Sequence, residues 1–493
     1  MERPIPAGLD TEYGLLLEGR GAEDLVDDAT ACVRAYPGPA FVGWDYRWES
    51  PRADLRGFRL SQLAFDPEDA KFDQGRTHGP AHEIRSDRVL PNGARLYNDH
   101  GHPEYATPEC VTLADVALHD AAGELAILRA ARALEKITGK GVRAYKNNTD
   151  FHGASYGTHE SHLVPRRYGY QNLFNAVLPM LVARQILTGS GKVGSESGPA
   201  ATYQLSQRAD FFVEPANAET LFRRPIFNTR DEPHGQHEDW IRLHVISGDA
   251  CMIPGATARK IGLVRLALWL MEHDEAPLWR LADPVKTFQS ISRDESLAFR
   301  VPLESGSWTT AYEIIDSYLA AADRVLDLDA EHQTLISECR GLLRDLRDCP
   351  ERFAKHVDWA AKKSILETYM AEEGTDWRDP ALRSYDLEYH NIDPDESLHN
   401  ALEEMGSVEA GPSWAERADA LTTPPKDTRA LARGLAVSRF GDRLVSAGWR
   451  SLTFRMGADT IDVPLAPDAS YPDTIRGASD VESFVRILRG EEI

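Results

Sequence analysis

Arg95-Leu96-Tyr97-Asn98-Asp99-His100-Gly101-His102-Pro103-Glu104-Tyr105 places an unusual amount of polar chemistry in eleven residues. Ala94 to Asp99 alternates in character and reads as a strand, on which residues two apart share a face, so Arg95, Tyr97 and Asp99 are expected to point the same way. Pro103 is expected to end regular ladder pairing, with Glu104 on the turn that follows. A phenol, two carboxylates and two imidazoles thus gather at one strand end. Oxygen-rich sets of this kind suit Mg²⁺ and nucleotide phosphates, and a spare aspartate can serve as a nucleophile. A polar hairpin edge would read the same, so the flanking sequence has to decide.

Upstream, Gly8-Leu9-Asp10-Thr11-Glu12-Tyr13-Gly14 alternates acidic and other residues. As a strand it sets Asp10 and Glu12 on one face, about 7 Å apart. Adjacent acids repel, and a shared cation is a natural reason to keep them together; a solvated edge strand is the plainer explanation for the pair alone. Glu23 to Val33 reads as a helix and Phe41 to Trp48 as a strand. Arg59 to Val89 has no sustained periodicity and contains Pro67, Gly75, Gly79 and Pro80. A polar stretch of that length inside a compact domain is expected to be a functional lid or disordered.

Downstream, Leu113 to Ile137 carries an apolar stripe at helical spacing (Leu113, Val116, Ala121, Leu125, Leu128) that is expected to be core. A strand from Val142 to Lys146 precedes Gly153-Ala154-Ser155-Tyr156-Gly157-Thr158-His159-Glu160, whose glycines would let backbone N–H groups approach an anion. Leu173 to Gly189 reads as an apolar helix. Strands over Thr202–Ser206, Phe211–Glu214 and Pro225–Asn228 lead into Asn228-Thr229-Arg230-Asp231-Glu232-Pro233-His234, where Arg230 suits a bidentate phosphate contact. A strand from Trp240 to Ser247 bears Arg242 and His244 at alternate positions. A single histidine is more often structural, but several converging with acids at strand ends favour a site.

From Ala256 onward helices are expected over Ala258–His273, Trp308–Leu328, Ala330–Arg347 and Arg352–Ala371. Gly411-Pro412 and Thr422-Thr423-Pro424-Pro425 are linker candidates. They divide a large catalytic domain, residues 1–415 with a loop insert at about 61–89, from a small C-terminal domain, residues 426–493. The latter has a helix over Thr428–Arg439 and strands over Trp449–Arg455 and Thr460–Val463.

The composition is that of an ordinary globular chain, 493 residues with 42% hydrophobic and 27% charged. A formal charge of −23 argues against nucleic-acid binding, which relies on surplus Lys and Arg. No run approaches the ~18 apolar residues of a membrane helix. Five scattered cysteines without a C-x-x-C pair make zinc and a disulfide framework unlikely, and no apolar leader is visible, so a cytoplasmic enzyme is expected.

Asp10-Thr11-Glu12-Tyr13-Gly14, Leu96-Tyr97-Asn98-Asp99 and His102-Pro103-Glu104-Tyr105 resemble the Pup ligase/Pup deamidase family, whose fold is similar to that of glutamine synthetase. The resemblance continues in order through Trp44-Asp45-Tyr46, Lys146 to Asp150, Ser155 to Glu160, Leu205 to Arg208, Asn228 to His234, Arg242 to Ile246, Val357 to Lys362, Asp386 to Tyr389, Arg433-Gly434 and the segment from Trp449 to Pro464. It implies an α+β fold in which a glutamine synthetase-like curved antiparallel sheet, flanked by helices, cradles ATP or ADP and Mg²⁺, with a small C-terminal domain. It places metal ligands on Asp10, Tyr97 and Glu104, beside the Glu12 read above. It makes Asp99 catalytic and sets nucleotide contacts on His159, Arg230, His244 and Arg433. Arg95 or Arg230 would stabilise an oxyanion. The implied partners are Pup, or a Pup-like tag, and tagged proteins.

Two activities share that scaffold, an ATP-consuming ligase and a hydrolase acting on the tag's C-terminal glutamine or the tag–lysine isopeptide bond. Asp99-His100-Gly101-His102-Pro103-Glu104 lacks the extra residue that ligases carry before His-Pro-Glu, and Ala154 and Thr158 are also deamidase-like. The expected function is therefore hydrolysis, with a ligase or a catalytically silent tag-binding protein as alternatives. Asp10 stands where the family usually has Glu, Asn98 replaces an apolar residue, and Phe151-His152 and Ser161-His162 replace Gly-Lys and Asn-Tyr.

Overall fold

The computed structural model describes residues 5–48, 53–60, 81–151, 153–198, 200–220, 223–231, 238–325 and 328–491. The first strands are β1 (Ala7–Glu12), β2 (Gly14–Leu17), β3 (Arg88–Val89), β4 (Arg95–Asp99), β5 (His102–Ala106), β6 (Val142–Tyr145) and β7 (Thr158–Pro165). Short strands β8 (Lys192–Val193), β9 (Tyr203–Gln204), β10 (Glu214–Asn217) and β11 (Pro225–Asn228) precede the long β12 (Trp240–Gly248). Six of them form one antiparallel sheet in the order β12-β7-β1-β5-β4-β3. The fold is α+β, as expected.

Period-two alternation decides which face each residue serves. On β1, Ala7 and Leu9 enter the main core while Asp10 and Glu12 line a cleft. Beneath the sheet lie α1 (Leu25–Ala35), α3 (Leu113–Thr138), α4 (Gly169–Ala183) and α6 (Pro254–Glu272). The Thr112 side chain caps α3 by accepting from the Asp115 N–H, and Gly139 ends it at φ 69°. The α6 helix is buried nearly all round, Arg259, Lys260 and Arg265 included, as suits a helix between others, and Pro254 supplies the favoured first-turn proline. Leu431, Leu435, Phe440, Leu452, Phe454, Val463 and Phe484 gather around a further cluster that also takes in Trp44 and Val89. We propose that the small C-terminal unit begins after Leu421, which still packs beside α3.

Several local expectations are corrected. Glu104 lies within β5, opposite Tyr97, and the turn is His100-Gly101; Pro103 stays in the ladder because its carbonyl accepts from the Tyr13 N–H at 2.9 Å. Phe41–Trp48 holds only isolated bridges, to Val89 and Ala447, then a 3₁₀ turn at Tyr46–Trp48. There Asp45 accepts the Arg47 N–H two residues on, a local bond that competes with ladder pairing. Residues 209–211 form a 3₁₀ turn before β10. Trp308–Thr310 is a strand, and the helix starts at Ala311 behind a Thr310–Glu313 capping box. Within the expected insert, Ala81–Arg85 is a short helix, α2, followed by β3. The lid expectation otherwise falls on residues 61–80, which lie outside the described residues, as do His152 and Glu232 to His234. No helix among the described residues is long and apolar enough to cross a membrane.

A buried ion pair ties the sheet to the helices behind it. Arg184, between α4 and α5 (Gln185–Thr188), donates to both Glu160 oxygens, one at 2.9 Å, and to the Lys260 carbonyl at 2.7 Å. Burial alone would raise the Glu160 carboxyl, but Arg184 and His162 hold it down at about 2. Arg184→Met would leave that carboxylate uncompensated and cost about 3–5 kcal/mol, read as a lowered urea midpoint. Pairing it with Glu160→Leu is expected to recover most of the loss, and a double variant no more stable than the single would refute the pair's role. Because the Glu160 pKa is depressed, its contribution is present above about pH 4.5 and disappears as pH falls toward 2.

Candidate functional site

The β4–β5 hairpin turns on two residues in the left-handed region, His100 (φ 47°) and Gly101 (φ 94°). Positive φ at both central positions matches the twist of the flanking strands. The Gly101 N–H donates to Asn98 Oδ1 at 3.0 Å, and Asn98 Nδ2 donates to Thr30 Oγ1 on α1 at 3.0 Å and to the Ile84 carbonyl on α2 at 3.3 Å. Asn98 therefore anchors the hairpin to two helices, a task no apolar residue could perform.

Strand register then builds the acidic side of the cleft. Tyr97 lies opposite Glu104, and Glu104 opposite Glu12, forming one row across β4, β5 and β1. The Tyr97 hydroxyl donates to Glu104, and Glu12 accepts the Gly157 N–H at 2.6 Å. Oxygens of Glu12, Asp99 and Glu104 all lie within 4.8 Å of one another. Asp10, one pleat away, is not in this group: it is paired with Arg242 at 2.7 Å, and Arg242 also donates to Ser161 at 2.9 Å.

The electrostatics follow from burial. Desolvation, then the Asp99 charge, lifts Glu12 to about 7, and the same two causes push Glu104 well above the ordinary carboxylate range. Burial also opposes ionisation of Asp99, but His100, Arg85, Arg95 and His102 outweigh it and hold Asp99 low. His102 is buried, stacked on Tyr156 at 4.3 Å, and pushed down to about 4. Carboxylates driven toward their neutral form by one another are what a hard divalent cation would relieve, and Glu12, Asp99 and Glu104 supply suitable oxygen donors.

The cleft has a volume of about 1150 Å³ and is also lined by His159, His244, Arg208, Arg223, Arg224, Arg230 and Arg242. The His159 and His244 rings stand 5.1 Å apart. Burial, then the neighbouring His244 and arginines, drives His159 well below its usual range, so the neutral ring is favoured. Arg230 donates to the Ala218 carbonyl and to Thr220, each at 3.1 Å. This basic wall suits the phosphates of a nucleotide.

Two predicted residues sit differently. Arg433 does not line the cleft: it is fully buried, bonded to Glu109 and, at 2.7 Å, to the Gly93 carbonyl, and it lies 4.4 Å over the Trp449 ring, which does line it. Arg95 lines the cleft but is held between Trp44 and Tyr97, 4.0 and 3.9 Å from their ring centroids, and pairs with Asp87 at 2.6 Å. It therefore stiffens Tyr97. The sequence assigned no role to Arg85 or Arg208, and it offered the Gly157 N–H to an anion, whereas that N–H donates to Glu12 at 2.6 Å. Arg208 is buried and donates to Ser155 at 3.3 Å. At Gly157 a Cβ would fall 2.0 Å from His159 Nε2, so the glycine between Tyr156 and Thr158 was the available signal.

Comparison with known proteins identifies relatives over nearly the whole chain. The chain is 37% identical over 474 residues to the Pup deamidase/depupylase of Mycolicibacterium smegmatis, covering 94% of this chain and 93% of that one. It is 39% identical over 376 residues to the Pup–protein ligase of Kocuria rhizophila, covering 72% of this chain and 80% of that one. Among solved structures, the complex between the prokaryotic ubiquitin-like protein Pup and its ligase PafA matches with a TM-score of 0.78 and 25% identity over 99% of this chain and 93% of that one. PafA in complex with ADP matches with a TM-score of 0.73 and 27% identity over 88% and 96%. The family model described as Pup-ligase protein matches residues 6–453, and the chain belongs to that family.

Proposed function

We propose that this protein is an amide hydrolase of the deamidase and depupylase kind. It would convert the C-terminal glutamine of a Pup-like tag to glutamate, or cleave the tag–lysine isopeptide bond, with ATP or ADP and Mg²⁺ in the cleft. The observation that carries the reading is the placement of Asp99, held in its ionised form at the mouth of the Glu12–Glu104 row. Similarity to the depupylase of M. smegmatis over nearly the whole chain supports hydrolysis over ligation.

In this reading an Asp99 oxygen attacks the side-chain carbonyl carbon and the C–N bond breaks. The amine leaves as ammonia or the lysine amine once protonated. Water then cleaves the acyl–aspartate, giving the tag's free glutamate and restoring Asp99. A carboxylate is a weak nucleophile toward an amide, so orientation within the cleft must supply most of the acceleration. Glu12 and Glu104 would hold the cation, each fixed by a partner of its own, the Gly157 N–H and the Tyr97 hydroxyl. The arginines and histidines of the opposite wall would hold the phosphates. The bound Mg²⁺ and nucleotide would supply fixed charge that organises the site.

Incubation with Mg²⁺, ATP and a tag peptide ending in glutamine should release ammonia without matching ADP. ADP formed in step with product, only when a glutamate-ending tag and an amine acceptor are supplied, would move the protein to the ligase class. Tag binding with no turnover of any kind would mark a silent homologue. Asp99→Asn should lower kcat by about 10³-fold or more with fold and nucleotide binding intact, and retained hydrolysis would remove Asp99 from its role. Because Glu12 is lifted to about 7 without a cation, Mg²⁺ binding must displace protons, so its affinity should rise between pH 6 and 8. Calorimetry in buffers of different ionisation enthalpy checks this, and a pH-independent affinity with no proton release would contradict it.

A further inference from the structure

A cation with no role in the sequence-based reading stands beside Asp99. Arg85, the last residue of α2, places Nη2 3.8 Å from Asp99 Oδ1, with its guanidinium carbon 5.8 Å from the Tyr97 ring centroid. The backbone that delivers it is tied down on both sides. The Ile84 carbonyl accepts from Thr30 at 3.0 Å and from Asn98 at 3.3 Å, and Ser86 accepts from Arg34 Nε at 2.8 Å. The neighbour of Asp99 on β4, Asn98, is thus bonded to the residue before Arg85, so the carboxylate and the guanidinium are held by one set of contacts. The alternative cation on β4, Arg95, is committed to Asp87 and to the faces of Trp44 and Tyr97.

Asp99 needs such a partner. Its side chain is 21% exposed and its oxygens share a space within 4.8 Å with those of Glu12 and Glu104, so an unrestrained carboxylate is free to turn outward into the cleft. We propose that Arg85 is a positioning residue that holds the Asp99 carboxylate against the Glu12–Glu104 row. Its action is through Asp99, and the inference rests on the reading of Asp99 as the reacting group. The side chain of Arg85 is itself 33% exposed and lines the cleft, so truncating it leaves the core packing untouched.

The test uses the full chain and its Arg85→Ala and Arg85→Lys variants with Mg²⁺, ATP and the glutamine-ending tag peptide. Arg85→Ala should lower kcat by about tenfold or more, with KM for the tag and the thermal midpoint nearly unchanged, and Arg85→Lys should recover a large part of the rate. An unchanged kcat, or a loss carried wholly by KM or by unfolding, overturns the proposal. Crystal structures of the wild type and Arg85→Ala give a readout free of turnover. Asp99 should leave its place beside Glu12 and Glu104 in the variant, and an Asp99 that stays put overturns the proposal even if the wild type proves inactive on this peptide. Wild-type inactivity with a displaced Asp99 would instead sink the hydrolase reading and leave the positioning role standing.

Discussion

The antiparallel register that sets Tyr97 opposite Glu104 and Glu104 opposite Glu12 governs the cleft, because it converts three distant segments into one row of oxygens. A slip of one residue in either ladder would turn the row into the core and bring Leu96, Pro103 or Thr11 to the cleft. The hydrophobic partners on the other face resist that slip. Leu9 and Leu96 are fully buried, and Tyr105 packs with Ala126 and Leu125 of α3. Site geometry and core packing are therefore two readings of the same pairing.

That geometry gathers acids at an electrostatic disadvantage, offset by distributing cations and hydrogen-bond donors among them. Glu12 has a backbone N–H, Glu104 a phenol and Asp10 a guanidinium. Each device is specific to one carboxylate, so the acids are held as individuals and not as a diffuse negative patch. A cation arriving at Glu12 and Glu104 finds donors already aimed, which lowers the ordering it must bring about.

What the sequence made legible was whatever depended on local period. The alternation around Asp10 and Asp99 identified cleft-facing acids, and the stripe from Leu113 onward identified α3 almost to the residue. The partner choices were not legible, because they join segments far apart: Asp10 and Arg242 are separated by 232 positions. The surroundings of Arg433 were hidden for the same reason, since only the fold reveals that Glu109 and the Gly93 carbonyl hold it beneath Trp449. Phe41–Trp48 had strand-forming composition, yet bonds made by Asp45 to its neighbours prevailed over propensity. Arg85 lies within a stretch without periodicity, where no pattern could assign it to Asp99.

The His100-Gly101 turn sets Asp99 apart from the acidic row beside it. Tyr97, Glu104 and Glu12 pair deeper in the sheet, whereas Asp99, paired with His102, is the last β4 residue before the chain reverses. Adding a single residue to the turn would re-aim that carboxylate while the paired row stayed in register. Such an insertion would change the placement of one carboxylate while leaving the oxygen row and the core in place.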